Sequence, residues 1–101
     1  MDDKKGHQLN IELSEEQAEG VYSNLTILTH SNSEFIIDFV RILPGVKSAK
    51  VKSRVVLTPQ HAKRLLNALH DNISKYEINF GEIKDVEHQS GFPLNFGGTL
   101  G

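Results

Sequence analysis

Asp38 has the setting in this sequence that most resembles that of a catalytic carboxylate. It lies in the segment SEFIIDFVRILPG, residues 33–45, among large apolar side chains and three residues before Arg41. Burial in an apolar pocket raises the pKa of a carboxylate and can make it a general acid or base. In a strand, however, alternation places Asp38 on a different face from Ile37 and Phe39. The choice between these interpretations decides whether the segment indicates an enzyme.

The histidines lack the spacing of a metal site. His61 and His70 lie nine residues apart on a predicted helix, so they point about 180° away from each other. His30 falls in a predicted hairpin, and His7 and His88 lie near the ends. Because a zinc site needs closely spaced ligands, we expect surface or turn histidines, with no metal and no other cofactor.

Other catalytic patterns are also missing from the sequence. It contains no cysteine and no Gly-x-Ser-x-Gly elbow, which are common signatures of a covalent nucleophile. The segment PGVKS has one glycine and one basic residue, too little for a phosphate-binding P-loop. His61 lies close to Thr58 at the start of the predicted helix, where a surface histidine beside a capping threonine explains both residues. We predict that the protein is not an enzyme.

Basic residues are concentrated on one predicted strand, where Lys50, Lys52 and Arg54 alternate. Alternating cations on one sheet face can contact phosphates, as in β-sheet nucleic-acid readers. No aromatic platform for stacking bases accompanies them, and Asp38 supplies a compensating charge. Anion binding by these three residues, and so association with nucleic acid, is the alternative hypothesis. A solvated or ion-paired face is the competing interpretation.

Composition limits the class of protein. Hydrophobic residues make up 38% of the 101 residues and charged residues 24%, which indicates one globular domain. The net charge of -2 gives no general attraction to nucleic acid or to anionic lipid. The N-terminal segment MDDKKGHQ lacks an apolar core, and no apolar run approaches the ~18 residues of a membrane span. We therefore expect a cytoplasmic protein with no membrane contact.

Periodicity predicts four strands before the helix. QLNIEL, residues 8–13, alternates apolar and polar residues as a half-buried strand does. SEEQAEG predicts a short helical turn capped by Ser14. Residues 21–57 predict a three-stranded meander of VYSNLTILTH, EFIIDFVRIL and AKVKSRVVL, with turns at HSNSE and PGVKS.

The clearest predicted element is a long helix after the meander. Thr58 can serve as its N-cap and Pro59 as its first residue, and Gly81 is a natural stop. One face is apolar and should lie across the sheet. That face comprises Ala62, Leu65, Leu66, Leu69, Ile73, Tyr76 and Phe80.

These elements predict an α+β fold, a four-stranded antiparallel meander sheet with one long C-terminal helix packed on one face. Residues 8–81 form its single domain. Residues 1–7 are expected to be a flexible N-terminus, and residues 82–101 a flexible glycine-rich tail.

Side-chain matching favours a loop of three residues, 31–33, in the first hairpin of the meander. Ile27 then opposes Ile37 on the face under the helix, and Leu28 opposes Ile36 on the reverse face. On the third strand, Ala49, Val51, Ser53, Val55 and Leu57 are expected on the helix-covered face. The second hairpin can set Asp38 opposite Arg54 as an ion pair on the reverse face.

Several segments carry a family resemblance: SEFIIDF, ILPG, SRVVLTPQHAKRLL and YE, within residues 9–83. They resemble the bacterial domain-of-unknown-function family 3467 (DUF3467), which implies no activity because none is assigned to that family. The meander and its strand-to-proline-to-helix junction are also similar to the SecB-like export chaperones. That similarity implies a SecB-like fold and, by analogy, recognition of protein segments.

The reverse sheet face carries too many apolar side chains to remain in water. We predict that it contacts another copy, forming a homodimer or higher oligomer, or binds other proteins or peptides. The protein is thus expected to be a small oligomeric binding or scaffold protein. The predicted surface comprises Tyr22, Leu28, Ile36, Asp38, Val40, Ile42 and Val56.

Overall fold

The computed structural model describes residues 8–85 and the short strand at 99–100, and it has the predicted α+β class. Its central element is an antiparallel meander of three strands, which is followed by a long helix. In chain order the elements are α1 (Glu15–Ala18), β1 (Leu25–His30), β2 (Phe35–Arg41), β3 (Lys50–Leu57), α2 (Pro59–Phe80) and β4 (Thr99–Leu100). The sheet order is β3-β2-β1-β4. The predicted flexible N-terminus, residues 1–7, lies outside the described residues, and so do residues 86–98 and 101 of the predicted flexible tail at 82–101.

The predicted first strand, residues 8–13, is wrong. The segment forms neither helix nor strand, and Leu9, Ile11 and Leu13 are 85%, 89% and 71% exposed. Alternation indicates only that a segment suits pairing; it does not provide an edge to pair with. The outer edge of β1 is paired with β4 instead. The capped turn after this segment does form, since the Gln17 amide donates to Ser14 Oγ at 3.1 Å.

The predicted register of the first hairpin is wrong by one residue. His30 opposes Phe35, so the loop has four residues, 31–34, rather than three. The Ser31 amide donates to the Glu34 carbonyl at 2.9 Å, and the rings of His30 and Phe35 stack with centroids 5.3 Å apart. Matching apolar pairs could not detect this turn, because β1 carries apolar residues on both faces. The slip exchanges the faces of β1 relative to β2.

As a consequence, Ile27 opposes Asp38, and Leu28 opposes Ile37. We call the face that carries Asp38 the Asp38 face, and the opposite one the Phe39 face. Leu28, which was predicted on the Asp38 face, belongs to the Phe39 face.

A β-bulge interrupts the pairing of β2 with β3. Phe39 opposes Ser53, whereas the next residue, Val40, opposes Val51, so Lys52 is the extra residue of β3. Alternation is therefore broken at this point. Val51 moves to the Asp38 face and Lys50, opposite Arg41, moves to the Phe39 face. The predicted faces hold only for the part of β3 that follows the bulge.

The buried centre of the sheet is small. Among the residues that the structure describes, Ile27, Ile37 and Val40 are the buried apolar side chains, at 5%, 7% and 0% exposure. Asp38 lies with them at 8% exposure. Three of these four residues belong to β2, the strand that has a neighbour on both sides in the meander.

Helix α2 forms as predicted but does not cover the sheet. The His61 amide donates to Thr58 Oγ1 at 3.1 Å, Pro59 starts the helix, and Gly81 ends it with φ of 96°. None of its residues is buried, and its contacts are mainly with β3. Only Thr58 separates β3 from α2, and such a short connection leaves no loop with which to fold the helix back. The predicted packing of helix on sheet is therefore wrong within the described chain.

Candidate interaction surface

Asp38 forms the predicted ion pair with Arg54 across β2 and β3. Arg54 Nε donates to Asp38 Oδ1 at 2.6 Å, and Nη2 donates to Oδ2 at 2.8 Å. These hydrogen bonds lower the pKa of Asp38 below its ordinary value of 3.8, and they outweigh the opposing effect of burial. A carboxylate held charged in this way is a poor proton acceptor. It fixes the register of β2 against β3, as a buried unpaired carboxylate could not.

A polar clamp closes the end of the sheet next to this ion pair. Asn24 Nδ2 donates to the Ile42 carbonyl at 3.0 Å, and the Ile42 amide donates to Asn24 Oδ1 at 2.8 Å. Ser23 Oγ lies 3.1 Å from the Val40 carbonyl, to which it donates. The clamp was not predicted from the sequence, although a Ser-Asn pair directly before a strand is a signal for it. The side chains of Asn24 and Ser23 thus hold the backbone of Ile42 and Val40 at this end of the sheet.

The predicted partner surface does not form one exposed patch. Val40 and Asp38 are buried, whereas Tyr22 is 66% and Val56 is 53% exposed. The remaining members, Leu28, Ile36 and Ile42, are half-buried. Leu28 also lies on the Phe39 face because of the register in the first hairpin. The side chains that remain available from this set are therefore few.

The predicted basic cluster is divided by the bulge. Arg54 lies on the Asp38 face and is engaged by Asp38, although 62% of its side chain is exposed. Lys50 lies on the Phe39 face, opposite Arg41. Lys52 is the bulge residue between them. The prediction that Lys50, Lys52 and Arg54 line one face is therefore wrong, and the three do not form a single phosphate-binding row.

Helix α2 carries the larger unpartnered apolar surface. Its members follow each other at alternating intervals of four and three residues and so lie on one side of the helix. We define the α2 stripe as Ala62, Leu66, Leu69, Ile73, Tyr76 and Phe80. Leu66, Leu69 and Phe80 are 61%, 54% and 74% exposed. The rings of Tyr76 and Phe80 touch each other, with centroids 5.0 Å apart, and no strand among the described residues covers them.

The sequence pattern predicts the apolar face of α2 correctly but predicts the wrong partner for it. The predicted helix lies over its own sheet, which would have buried that face. The one-residue connection at Thr58 was the available signal that the helix and β3 would diverge. The stripe is therefore exposed because of the short connection. The apolar pattern of the helix does not by itself predict that exposure.

The ordered elements of the meander and α2 fall inside a known family region. The family described as "Protein of unknown function (DUF3467)" has a model that matches residues 1–85. The chain belongs to this family. The resemblance seen in the sequence is thus confirmed, and the match includes β1 to β3 and the whole of α2. Searches of curated proteins and of solved structures gave no match, so the similarity to SecB-like chaperones has no support.

This DUF3467 domain has few other candidate sites among its described residues. No group of three or more His, Asp or Glu side chains within them is placed to hold a metal ion. Two open surface hollows are lined by Glu16, Gln17, Gly20 and Val21, and by Pro59, Gln60, Lys63 and Arg64. Of the helices in the described chain, none has the length and apolar character needed to span a membrane. The α2 stripe is therefore the best candidate for a functional surface.

Proposed function

We propose that this DUF3467 domain is a self-associating scaffold, in which α2 of one chain binds α2 of a second copy. The observation that carries the proposal is the α2 stripe, an apolar surface along a helix of 22 residues none of which is buried. Contiguous apolar surface of this kind marks an interaction site in a water-soluble protein. The proposal keeps the predicted oligomeric role and moves the contact from the sheet to the helix.

The small buried core of the single chain favours a second copy over an unrelated partner. Only three apolar side chains are buried among the described residues. A domain with so small a core gains stability when association is coupled to folding. A second copy is always present to supply that stability.

The energy available from the stripe is large enough for a stable dimer. Full burial of one large apolar side chain contributes about 1.5–3 kcal/mol. The five large members of the stripe are 40–74% exposed. Burying what remains exposed would contribute roughly 4–8 kcal/mol per helix before the costs of association. Contributions from two helices can therefore exceed those costs.

The test is the molar mass in solution, measured by light scattering or sedimentation. We expect a dimer for the unmodified chain and a monomer for Leu69→Glu, because the substitution places a charge in the middle of the stripe. Asn67→Glu is the matched control, since it adds the same charge on the opposite side of α2 and should leave the dimer intact. A monomeric unmodified chain, or a Leu69→Glu variant that stays dimeric, would contradict the proposal.

A second variant separates the helix contact from the sheet contact of the sequence-based prediction. Val56 lies on the Asp38 face and is 53% exposed. If α2 forms the interface, Val56→Glu leaves the mass of the dimer unchanged. If Val56→Glu dissociates the dimer and Leu69→Glu does not, the sheet face is the interface and the helix proposal is wrong.

A further inference from the structure

We infer that the two α2 helices pack antiparallel, so that Ala62 of one copy lies against Phe80 of the other. This inference rests on the proposed function, because it specifies how the second copy occupies the α2 stripe. It follows from the spacing and sizes of the apolar residues on α2 and from the charges that flank them.

The spacing of the stripe is that of a coiled-coil seam. Its apolar residues recur at 62, 66, 69, 73, 76 and 80, which are intervals of four, three, four, three and four. This pattern repeats every seven residues, as the inner positions of paired helices do. It continues almost from the first to the last residue of α2. A second helix with the same seam therefore fits along its whole length.

The sizes of the inner residues favour the antiparallel direction. With the pair centred at position 71, Ala62 meets Phe80, Leu66 meets Tyr76, and Leu69 meets Ile73 of the second copy. The smallest side chain of the seam thus faces one of the largest, and the layers differ less in volume than those of a parallel pair. A parallel pair would place Ala62 against Ala62 and Phe80 against Phe80, leaving a gap at one end and crowding at the other.

The flanking charges favour the same direction. Lys63, His70 and Glu77 each follow an inner residue by one position, so they lie along one edge of the seam. In the antiparallel pair Lys63 faces Glu77 of the second copy, and His70 faces its own counterpart. A parallel pair would instead bring Leu65 near His70 and Asn72 near Glu77. Only the antiparallel pair joins opposite charges.

This charge pair cannot form within one chain. Lys63 and Glu77 are 14 residues apart on the same helix, a distance of about 21 Å along its axis. Lys63 is exposed, and Glu77 is half-buried with Oε2 accepting the Ile83 amide at 2.9 Å. The other carboxylate oxygen, Oε1, is available to the ammonium group of a second copy.

Charge reversal tests the direction. Lys63→Glu alone should weaken the dimer about five- to thirtyfold, because two symmetric pairs become repulsive. The double variant Lys63→Glu with Glu77→Lys should recover most of that affinity. Recovery cannot come from the Ile83 contact, which Glu77→Lys removes. A double variant that binds no better than Lys63→Glu would overturn the antiparallel arrangement while leaving the dimer itself intact.

Single cysteines give an independent readout, because the chain contains no other cysteine. A short bismaleimide reagent should join His70→Cys to itself, since the two copies of position 70 lie near the two-fold axis. It should not join Lys63→Cys to itself, because those positions would be roughly 24 Å apart along the axis. Mixing Lys63→Cys with Glu77→Cys should restore crosslinking. Equal self-crosslinking at positions 63 and 70 would show a parallel pair and overturn the inference.

Discussion

Strand β2 and helix α2 both carry several large apolar side chains, but only the strand buries any of them. In β2, neighbours on both sides bury Ile37 and Val40, and Asp38 is paired with Arg54. In α2, a well-capped and strongly patterned helix has no buried residue. The strand completes its contacts within the described chain, whereas the apolar side of the helix stays exposed there. Burial thus depends on where an element is attached more than on its composition.

The connections that join β2 and α2 to their neighbours differ in length. Loops of four residues or more join β2 to its neighbours and let them fold back beside it. A single residue, Thr58, joins α2 to β3, so the helix continues away from the sheet. The comparison predicts that substitutions in β2 act on folding, whereas those in the stripe act on association.

The largest expected contrast is between Val40→Ala and Leu66→Ala. Val40 is fully buried, so its truncation should lower the free energy of unfolding by about 2 kcal/mol. Leu66 is 61% exposed, so in the dissociated chain its truncation should cost less than about 0.5 kcal/mol. Leu66→Ala should nevertheless weaken the dimer at least tenfold (about 1.4 kcal/mol). Urea denaturation at low protein concentration and sedimentation equilibrium measure the two quantities.

This contrast can fail in two ways. If Leu66→Ala destabilises the dissociated chain as much as Val40→Ala does, α2 is packed on its own sheet. If neither variant changes the dissociation constant, the stripe is not the interface.

A smaller loss of folding stability is expected when the ion pair between β2 and β3 is broken. Arg54→Ala leaves the buried carboxylate of Asp38 without a cation and should lower the midpoint of urea denaturation. Arg54→Lys keeps the charge but not the two hydrogen bonds of the guanidinium group, so it should lower the midpoint by a smaller amount. Lys52→Ala is the matched control on the same strand and should leave the midpoint unchanged. Equal midpoints for Arg54→Ala and Lys52→Ala would show that the Asp38–Arg54 ion pair contributes nothing to folding stability.

The N-cap of α2 should contribute still less to folding stability. Thr58→Ala removes the acceptor of the His61 amide and should destabilise the helix by about 1 kcal/mol. Because the helix is the proposed interface, the dimer should weaken by a comparable factor. Thr58→Ser keeps a hydroxyl acceptor and serves as the control. Circular dichroism and sedimentation would detect the change, and identical values for both variants would contradict the role of the cap.

The smallest expected effect is a dependence of folding stability on pH that is confined to acidic pH. The pKa of Asp38 is lowered in the folded chain from its ordinary 3.8, so the stabilisation is complete above that value. It is lost as the pH falls below 3.8 and through the lower folded pKa. Asp38→Asn should remove this part of the dependence, as measured by urea midpoints across the acid range. Parallel curves for the two proteins would show that Asp38 does not titrate with folding.

Local patterns predicted the elements well and their pairing less well. The limits of α2 followed from Thr58, Pro59 and Gly81, and the Asp38–Arg54 pair followed from alternation in β2 and β3. The first register was wrong because apolar matching cannot see the hydrogen bonds of a four-residue turn. The bulge at Lys52 was not predicted, since nothing in the alternation of AKVKSRVVL marks an extra residue. One misplaced residue was enough to exchange faces in each case.

The sequence by itself determined the membership in the DUF3467 family, the three strands of the meander and the long amphipathic helix. These depend on caps, turn residues and periodicity, all of which act over a few residues. Only the tertiary structure decided that residues 8–13 remain unpaired by any strand and that the α2 stripe remains exposed. Both outcomes depend on which edges and faces are already occupied, and on how far a single connecting residue lets the chain turn. That information lies in the relative positions of whole elements.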